Sequence, residues 1–184
     1  DLPFPNFFAV LDAKSGREVF SAAGVLPGMS TNLLWSTFSP DDRWLAVSQV
    51  GSSVIRVFDL RDGHPVTELR GHTNRINCLS FNADGSLLAS ASGDKTVRLW
   101  RLPSGEPAGP PLEHRLSVMR AILTDDGRHL VSGSMTESEC ELQAWEVQTG
   151  RRVGEALKGK PWIAMFVEPG VGGRFFGRVD GRQD

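Results

Sequence analysis

Ser90, His72 and Asp94 are the residues whose chemical types come closest to a catalytic set. A serine hydroxyl in contact with an imidazole that a carboxylate orients is the arrangement used by nucleophilic hydrolases. The Gly-x-Ser-x-Gly sequence, which exposes such a serine on a sharp turn, does not occur in the chain. Whether the three residues form a catalytic or a structural set therefore depends on the elements that position them.

Metal and nucleotide chemistry find little support in the sequence. The four histidines have no partner at ligand spacing, and the two cysteines do not form a Cys-x-x-Cys pair. The glycine-rich residues 170–173 lack the Lys and Ser/Thr of a phosphate-binding loop and are expected to form a turn. We predict no metal and no cofactor.

Composition places the chain among ordinary globular proteins. Of its 184 residues, 40% are hydrophobic and 23% are charged, with a net charge of −2. This balance gives no electrostatic case for binding nucleic acid or an anionic membrane. The longest apolar run, residues 162–167, is too short to cross a bilayer, and no signal peptide is visible. Because two cysteines do not make a disulfide framework, we expect a cytoplasmic protein.

Four copies of one pattern run through the chain. Leu11, Phe58, Trp100 and Trp145 each precede a Gly by five residues, and they recur at intervals of 47, 42 and 45 residues. Ahead of these positions lie short apolar or alternating segments, separated by turn signals such as Asp84-Gly85. No long helical periodicity competes with this pattern, so an all-β fold is predicted.

Residues 71–102 carry the pattern most completely. They open on Gly71-His72, have turn signals at Asp84-Gly85 and Gly93-Asp94, and close on Trp100. A Gly-His start and a Trp end at this spacing resemble one repeat of the WD40 family, whose period is roughly 40–45 residues. In that family each repeat forms a four-stranded blade of a β-propeller. Arg101 stands where the family usually has Asp.

The resemblance implies a partial WD40 β-propeller with about three complete four-stranded blades plus flanking strands. The predicted repeats cover residues 28–60, 71–102 and 113–147, with partial copies at 1–12 and 159–184. Residues 7–12 are interpreted as the outermost strand of a preceding blade, and the proline-rich residues 103–111 as a linker between blades. Since a seven-bladed ring needs about 300 residues, the expected partners include the remaining blades of a longer chain.

The resemblance also implies a buried hydrogen-bond relay within one blade, formed here by His72, Ser90, Asp94 and Trp100. Buried polar groups need partners, and an indole N–H, a hydroxyl, an imidazole and a carboxylate satisfy one another. The Trp in this set favours a structural role over a catalytic one. We predict no catalytic residue and no enzyme.

The third unit changes the relay in one place. His114, Ser132 and Trp145 fit the pattern, but the turn before Trp145 is three residues longer. Glu139 keeps the spacing to Trp145 and is the predicted acid, with Glu137 as the alternative.

The first unit loses most of the relay. Met29, Ser52 and Phe58 stand at the His, Asp and Trp positions, which leaves Ser48 alone. Apolar packing is therefore predicted to hold this blade.

In WD40 rings, the face that carries the loop after Gly-His and the turn before Asp usually docks partner proteins or peptides. By this resemblance the candidate partner-binding residues are Asn32, Thr73, Arg75, Arg115 and Ser117. Arg75 and Arg115 are the two to test, because Arg is over-represented where binding energy concentrates. Ordinary solvated rim charges are the alternative interpretation of both.

The first functional prediction is a non-catalytic scaffold that presents loops of one propeller face to partner proteins or peptides. The alternative is an accessory or regulatory propeller of a larger multidomain enzyme, such as a protein kinase or a signalling NTPase. Residues 105–112 and 150–157 resemble blade linkers of bacterial WD40 proteins that carry such domains. A kinase or phosphate-loop motif upstream of Asp1 would favour the alternative. A catalytic propeller is disfavoured, because no charged or nucleophilic groups converge on one site in the sequence.

Overall fold

The computed structural model describes residues 9–11, 13–21, 33–160, 168–169 and 175–176. Every helix or strand assigned in these ranges is a β-strand, and all of the strand pairs are antiparallel. The all-β fold class predicted from the sequence is confirmed.

Three four-stranded sheets make up most of the described structure, and each is a meander in chain order. A short hairpin precedes them, in which β1 (Ala9–Leu11) pairs with β2 (Glu18–Ser21). The first sheet contains β3 (Leu33–Phe38), β4 (Trp44–Gln49), β5 (Ile55–Asp59) and β6 (Pro65–Leu69). The second contains β7 (Ile76–Phe81), β8 (Leu87–Ser92), β9 (Thr96–Arg101) and β10 (Leu112–Glu113). The third contains β11 (Ser117–Leu123), β12 (His129–Met135), β13 (Cys140–Glu146) and β14 (Arg151–Gly159). A last hairpin pairs β15 (Glu168–Pro169) with β16 (Phe175–Phe176).

The prediction that residues 7–12 form an outermost strand is wrong for their described part. β1 ends at Leu11, which aligns with Phe58 in β5, and Gly16 aligns with Gly63 between β5 and β6. β1 therefore corresponds to the third strand of a sheet. Its partner β2 takes the fourth, outer position.

The predicted linkers between blades lie inside sheets instead. Residues 103–111 connect β9 to β10 within the second sheet, and Trp100 forms an isolated bridge with Pro107 there. Because prolines cannot donate to a ladder, this loop leaves β10 only two residues long. Residues 150–157 form most of β14. The connections between sheets are residues 70–75 and 114–116.

The turn between the first two strands of each sheet has one backbone requirement. Gly85 and Gly127 lie at its third position with φ of 70° and 66°, in the left-handed region that glycine enters without strain. Asp42 takes the same position in the first sheet with φ of 55°, and Asp is among the few non-glycine residues that tolerate it.

A buried polar residue precedes each of these turns. Its side-chain oxygen accepts the backbone N–H that opens the next strand, at 2.8 Å for Ser39, 2.9 Å for Asn82 and 3.0 Å for Thr124. The three side chains therefore close the same turn with different chemistry. Sequence reasoning missed this position, because Ser, Asn and Thr share no simple pattern beyond a short polar side chain.

The second sheet is packed on both faces. Ile76, Leu88 and Trp100 belong to a core shared with the first sheet, whereas Ala89 and Leu99 belong to a core shared with the third. β7 also contacts β3 of the sheet before it and β11 of the sheet after it. The first strands of the three sheets thus adjoin, as they do where blades surround a common axis.

Three leucines show where this stacking stops. Leu69, Leu112 and Leu157 each lie opposite the third strand of their own sheet. Leu69 and Leu112 are 1% and 3% exposed, whereas Leu157 is 60% exposed. The described sheets form consecutive blades that are not closed into a ring.

Candidate functional site

Ser90 is the centre of the relay in the second sheet. The Trp100 Nε1–H donates to Ser90 Oγ at 2.8 Å, and Ser90 Oγ lies 2.8 Å from His72 Nε2. On the other side of the ring, His72 Nδ1 lies 2.7 Å from an Asp94 carboxylate oxygen. All of these groups are satisfied when His72 carries its proton on Nδ1 and accepts from Ser90 on Nε2.

Asp94 receives more hydrogen bonds than the sequence suggests. Its carboxylate also accepts from the backbone N–H of Thr73 at 3.0 Å, and from the N–H and the hydroxyl of Thr96 at 3.0 and 2.7 Å. Burial alone would raise the pKa of Asp94, but the bonds from Thr73, Thr96 and His72 outweigh it and lower the pKa to about 2. Thr96 is a relay member that sequence reasoning missed. Its position two residues after an Asp, typical of an Asx-turn, is the available signal.

The relay is sealed from solvent at its centre. The side chain of His72 has no exposed surface, and Ser90 is fully buried. Burial lowers the pKa of His72 in spite of the neighbouring Asp94, so the ring is neutral at pH 7. A serine in this position cannot reach a substrate, and the three groups suggestive of a hydrolase perform structural hydrogen bonding.

The third sheet contains a shorter relay. Ser132 Oγ lies 2.7 Å from His114 Nε2 and accepts the Trp145 Nε1–H at 2.8 Å. The remaining ring nitrogen, His114 Nδ1, donates to the backbone carbonyl of Leu112 at 2.8 Å. Burial lowers the pKa of His114 to about 4.

Glu139 is not the acid of this relay, and neither is Glu137. The strand pairing between β12 and β13 continues to Met135 and Cys140, so the extra residues lengthen the hairpin and carry Glu139 to its tip. There its carboxylate makes a bidentate pair with Arg115, at 2.8 and 2.7 Å. A backbone carbonyl has taken the place of the carboxylate.

In the first sheet the relay is absent among the described residues. Phe58 stands at the Trp position and is fully buried, in line with a sheet held by apolar contacts. Ser48 Oγ is buried without a hydrogen-bond partner in the described structure. Ser52 accepts the backbone N–H of Val54 at 3.1 Å, and Met29 lies outside the described residues.

Comparison with known proteins gives the same result as the geometry. The family model of the WD domain, G-beta repeat, matches residues 63–101, which include the whole relay of the second sheet. The chain belongs to the WD40-repeat family. The matched repeat begins with β6 of the first sheet and ends with β9 of the second, so one WD40 repeat spans two neighbouring blades.

WD-repeat proteins from distant organisms are similar to this chain. Periodic tryptophan protein 2 homolog of Schizosaccharomyces pombe is 32% identical over 61% of the chain, which corresponds to 13% of that protein. An uncharacterized WD repeat-containing protein of Synechocystis sp. is 36% identical over 71% of the chain and 36% of its own length. NACHT domain- and WD repeat-containing protein 1 of Homo sapiens is 30% identical over 67% of the chain and 8% of its length. The chain thus spans between about a tenth and about a third of these curated relatives.

The two ends of each WD40 blade carry different loops. Because neighbouring strands are antiparallel, residues 70–75 and 93–95 lie at one end of the second sheet, with residues 114–116 and 136–139 at the same end of the third. We call this the relay end. The turns at 82–86, 102–111, 124–128 and 147–150 lie at the opposite end, which we call the hairpin end.

The candidate partner-binding residues lie at the relay end and differ in availability. Thr73 and Arg75 are exposed, and the Arg75 side chain has no hydrogen bond or ion pair with another described residue. Arg115 is exposed but is already paired with Glu139 and, through Nη2, with Glu141 at 3.0 Å. These hydrogen bonds raise the pKa of Arg115 and lower that of Glu139. Ser117 is half-buried in β11, and Asn32 lies outside the described residues.

Two other kinds of site were sought in the described part of the chain. No group of three or more His, Cys, Asp or Glu side chains there is arranged to hold a metal ion. None of the described residues belongs to a helix that could span a membrane.

Proposed function

We propose that the chain is a protein-interaction scaffold that uses the loops at the relay end to bind partner proteins or peptides. Membership of the WD40-repeat family supports a scaffold in general. The observation that carries the finer proposal is Arg75, an exposed guanidinium without an internal partner on a loop that the relay holds in place.

The loop that carries Arg75 is fixed from two sides. Gly93 N–H donates to the Arg75 carbonyl at 3.0 Å, and the Ser92 hydroxyl donates to the Asn74 carbonyl at 3.1 Å. A loop ordered before binding loses less conformational entropy when a partner arrives. An unpaired Arg on such a loop can offer bidentate hydrogen bonds to a carboxylate or stack on an aromatic ring.

Charge reversal at Arg75 tests this proposal. The parent chain, Arg75→Glu and the matched control Arg151→Glu are immobilised, and proteins retained from the cells that produce the chain are compared by quantitative mass spectrometry. Arg151 is an equally exposed arginine at the start of β14. We expect a set of proteins bound by the parent and by Arg151→Glu but lost with Arg75→Glu. Retention of the same proteins by all three would overturn the proposal.

A second candidate function is an accessory or regulatory propeller of a larger multidomain enzyme, such as a protein kinase or signalling NTPase. The supporting observation is the human relative whose name joins a NACHT domain to WD repeats and of which this chain spans 8%. The complete reading frame tests this candidate directly. A kinase or phosphate-loop motif beside the WD40 repeats is expected, and a frame that encodes WD40 repeats alone would exclude it.

The remaining blades of the same chain are the other proposed partner. Leu157 is exposed at the position where Leu69 and Leu112 are covered by the following sheet. A further four-stranded module on this face would bury it in the same way.

A further inference from the structure

A cleft at the hairpin end is not used by the proposed function. It lies between the second and third sheets and encloses about 880 Å³. The turns between β7 and β8 and between β11 and β12 form its inner part, where Ala83 N–H donates to the Asp125 carbonyl at 3.1 Å. The ends of β9 and β13 form its outer part. We call it the hairpin cleft.

The floor of the hairpin cleft is apolar. Leu87, Ala108 and Val147 line it, and all three are half-buried against the core shared by the second and third sheets. An aliphatic side chain placed there would remove further apolar surface from water, which is favourable. Shallow apolar floors with a polar rim are typical of the centres of protein interfaces.

The acidic groups on the rim are already engaged. Asp84 and Asp126 each accept the backbone N–H two residues further on, at 2.8 and 2.9 Å. Glu146 accepts a threonine hydroxyl of its own turn at 2.6 Å. These carboxylates close the hairpins of their own sheets.

The basic groups on the rim are not engaged to the same extent. The Arg101 side chain is exposed and has no hydrogen bond or ion pair with another described residue. Arg128 is 80% exposed, and its Nε lies 3.8 Å from an Asp126 oxygen, too far for a hydrogen bond. His129 is exposed beside them. The groups left free to bind a ligand are therefore cationic.

We propose that the hairpin cleft binds an extended acidic peptide of a partner protein, with an aliphatic side chain on the floor and a neighbouring carboxylate on Arg101 and Arg128. An Arg guanidinium binds a carboxylate through two parallel hydrogen bonds, which gives both energy and orientation. The volume lies near the top of the range of about 300–1,000 Å³ for small-molecule sites, so a single small acid would leave much of the cleft empty. This surface is separate from the relay end.

A displayed library of random dodecapeptides, selected on the full chain, provides the probe. We expect the enriched peptides to carry Asp or Glu next to Leu, Ile or Val. The affinity of synthetic copies should fall at least about tenfold with Arg101→Glu and with Arg128→Glu, because each change removes a bidentate partner and adds repulsion. Arg75→Glu, at the opposite end, should leave their affinity unchanged.

Each outcome decides between the two surfaces. Peptides that lose affinity with Arg75→Glu but not with Arg101→Glu would support the relay end and overturn the hairpin cleft. Selection of no peptide, or of peptides without carboxylates, would also overturn it. Circular dichroism of the variants separates lost binding from lost folding, and two variants at different positions guard against a single folding failure.

Discussion

Replacing Asp94 by Ala removes the acceptor at the end of the relay. The carboxylate accepts hydrogen bonds from the His72 ring, from the backbone of Thr73, and from Thr96. Thr73 is exposed, so its N–H can bond to water after the truncation. The His72 N–H and the Thr96 N–H lie in a buried region and lose their partner. We expect a clear loss of stability.

Two arguments give the size of this loss. A buried donor left unsatisfied costs about 1–3 kcal/mol, and two donors are affected here. The difference between the ordinary pKa of 3.8 and the value of about 2 in the fold corresponds to about 2.5 kcal/mol at pH 7. Water that enters the shortened turn reduces the cost of the orphaned donors. We therefore expect the free energy of unfolding to fall by about 3 kcal/mol.

Urea unfolding followed by tryptophan fluorescence measures the effect. With a slope of about 2 kcal/mol per molar urea, a loss of about 3 kcal/mol lowers the midpoint by about 1.5 M. Asp94→Asn keeps one oxygen acceptor and should show a smaller loss. Glu139→Ala is the matched control, because Glu139 has the same spacing to Trp145 but lies on the surface and bonds to Arg115. It should shift the midpoint far less, and the shift should disappear in 1 M NaCl.

The relay would be refuted as a source of stability if Asp94→Ala unfolded at the midpoint of the parent. A loss at Glu139→Ala as large as at Asp94→Ala would refute the distinction between the buried carboxylate and the surface pair.

Three further predictions concern the pH response, the blade contacts and the orphaned serine. His114 is neutral in the fold down to a pKa of about 4, whereas the unfolded chain protonates it below about 6.5; the stability of the parent relative to His114→Gln should therefore fall by about 3 kcal/mol between pH 6.5 and 4 and then level off, as urea midpoints across this range will show. Leu112→Ala should cost about 2–5 kcal/mol because its cavity is enclosed, but the exposed Leu157→Ala should stay within about 0.5 kcal/mol; equal thermal shifts would mean that Leu157 is covered. Ser90→Ala should lower the melting temperature by leaving an indole N–H and an imidazole unsatisfied, whereas Ser48→Ala removes a hydroxyl without a described partner and should be neutral or stabilising.

The repeated blades could be predicted because one position of each sheet is chemically distinct. Phe58, Trp100 and Trp145 all lie on the third strand and are buried against a neighbouring blade or within their own relay. Their spacing therefore follows the period of the fold. The turn glycines add the left-handed backbone that tight hairpins require.

The outer strands could not be predicted in the same way. β14 is exposed over most of its length and carries Arg151, Arg152, Glu155 and Lys158, so no apolar alternation distinguishes it from a linker. Charged residues are common on outer strands, where they discourage pairing with other chains. Such a strand is defined by its backbone pairing with β13, which sequence pattern alone does not reveal.

The acid of the third relay failed for a related reason. Counting back from Trp145 placed Glu139 correctly in sequence but not in space, because the longer hairpin is absorbed by additional strand pairs. The acceptor that His114 uses is the Leu112 carbonyl, and a backbone group has no residue type by which a sequence could identify it. Side-chain relays are therefore predictable only where turn lengths match.

The relay connects the stability of the blade to the proposed binding surface. Residues 70–75 pass from β6 of one blade to β7 of the next, and they carry both His72 and Arg75. Asp94 bonds to His72 and to the Thr73 backbone, so it fixes this crossing segment next to the exposed Arg75. Because a preordered loop loses less entropy on binding, these hydrogen bonds contribute to affinity as well as to folding. Asp94→Asn should therefore weaken binding through Arg75 while the chain stays folded. Binding in the hairpin cleft, which is built from turns at the opposite end, should not change.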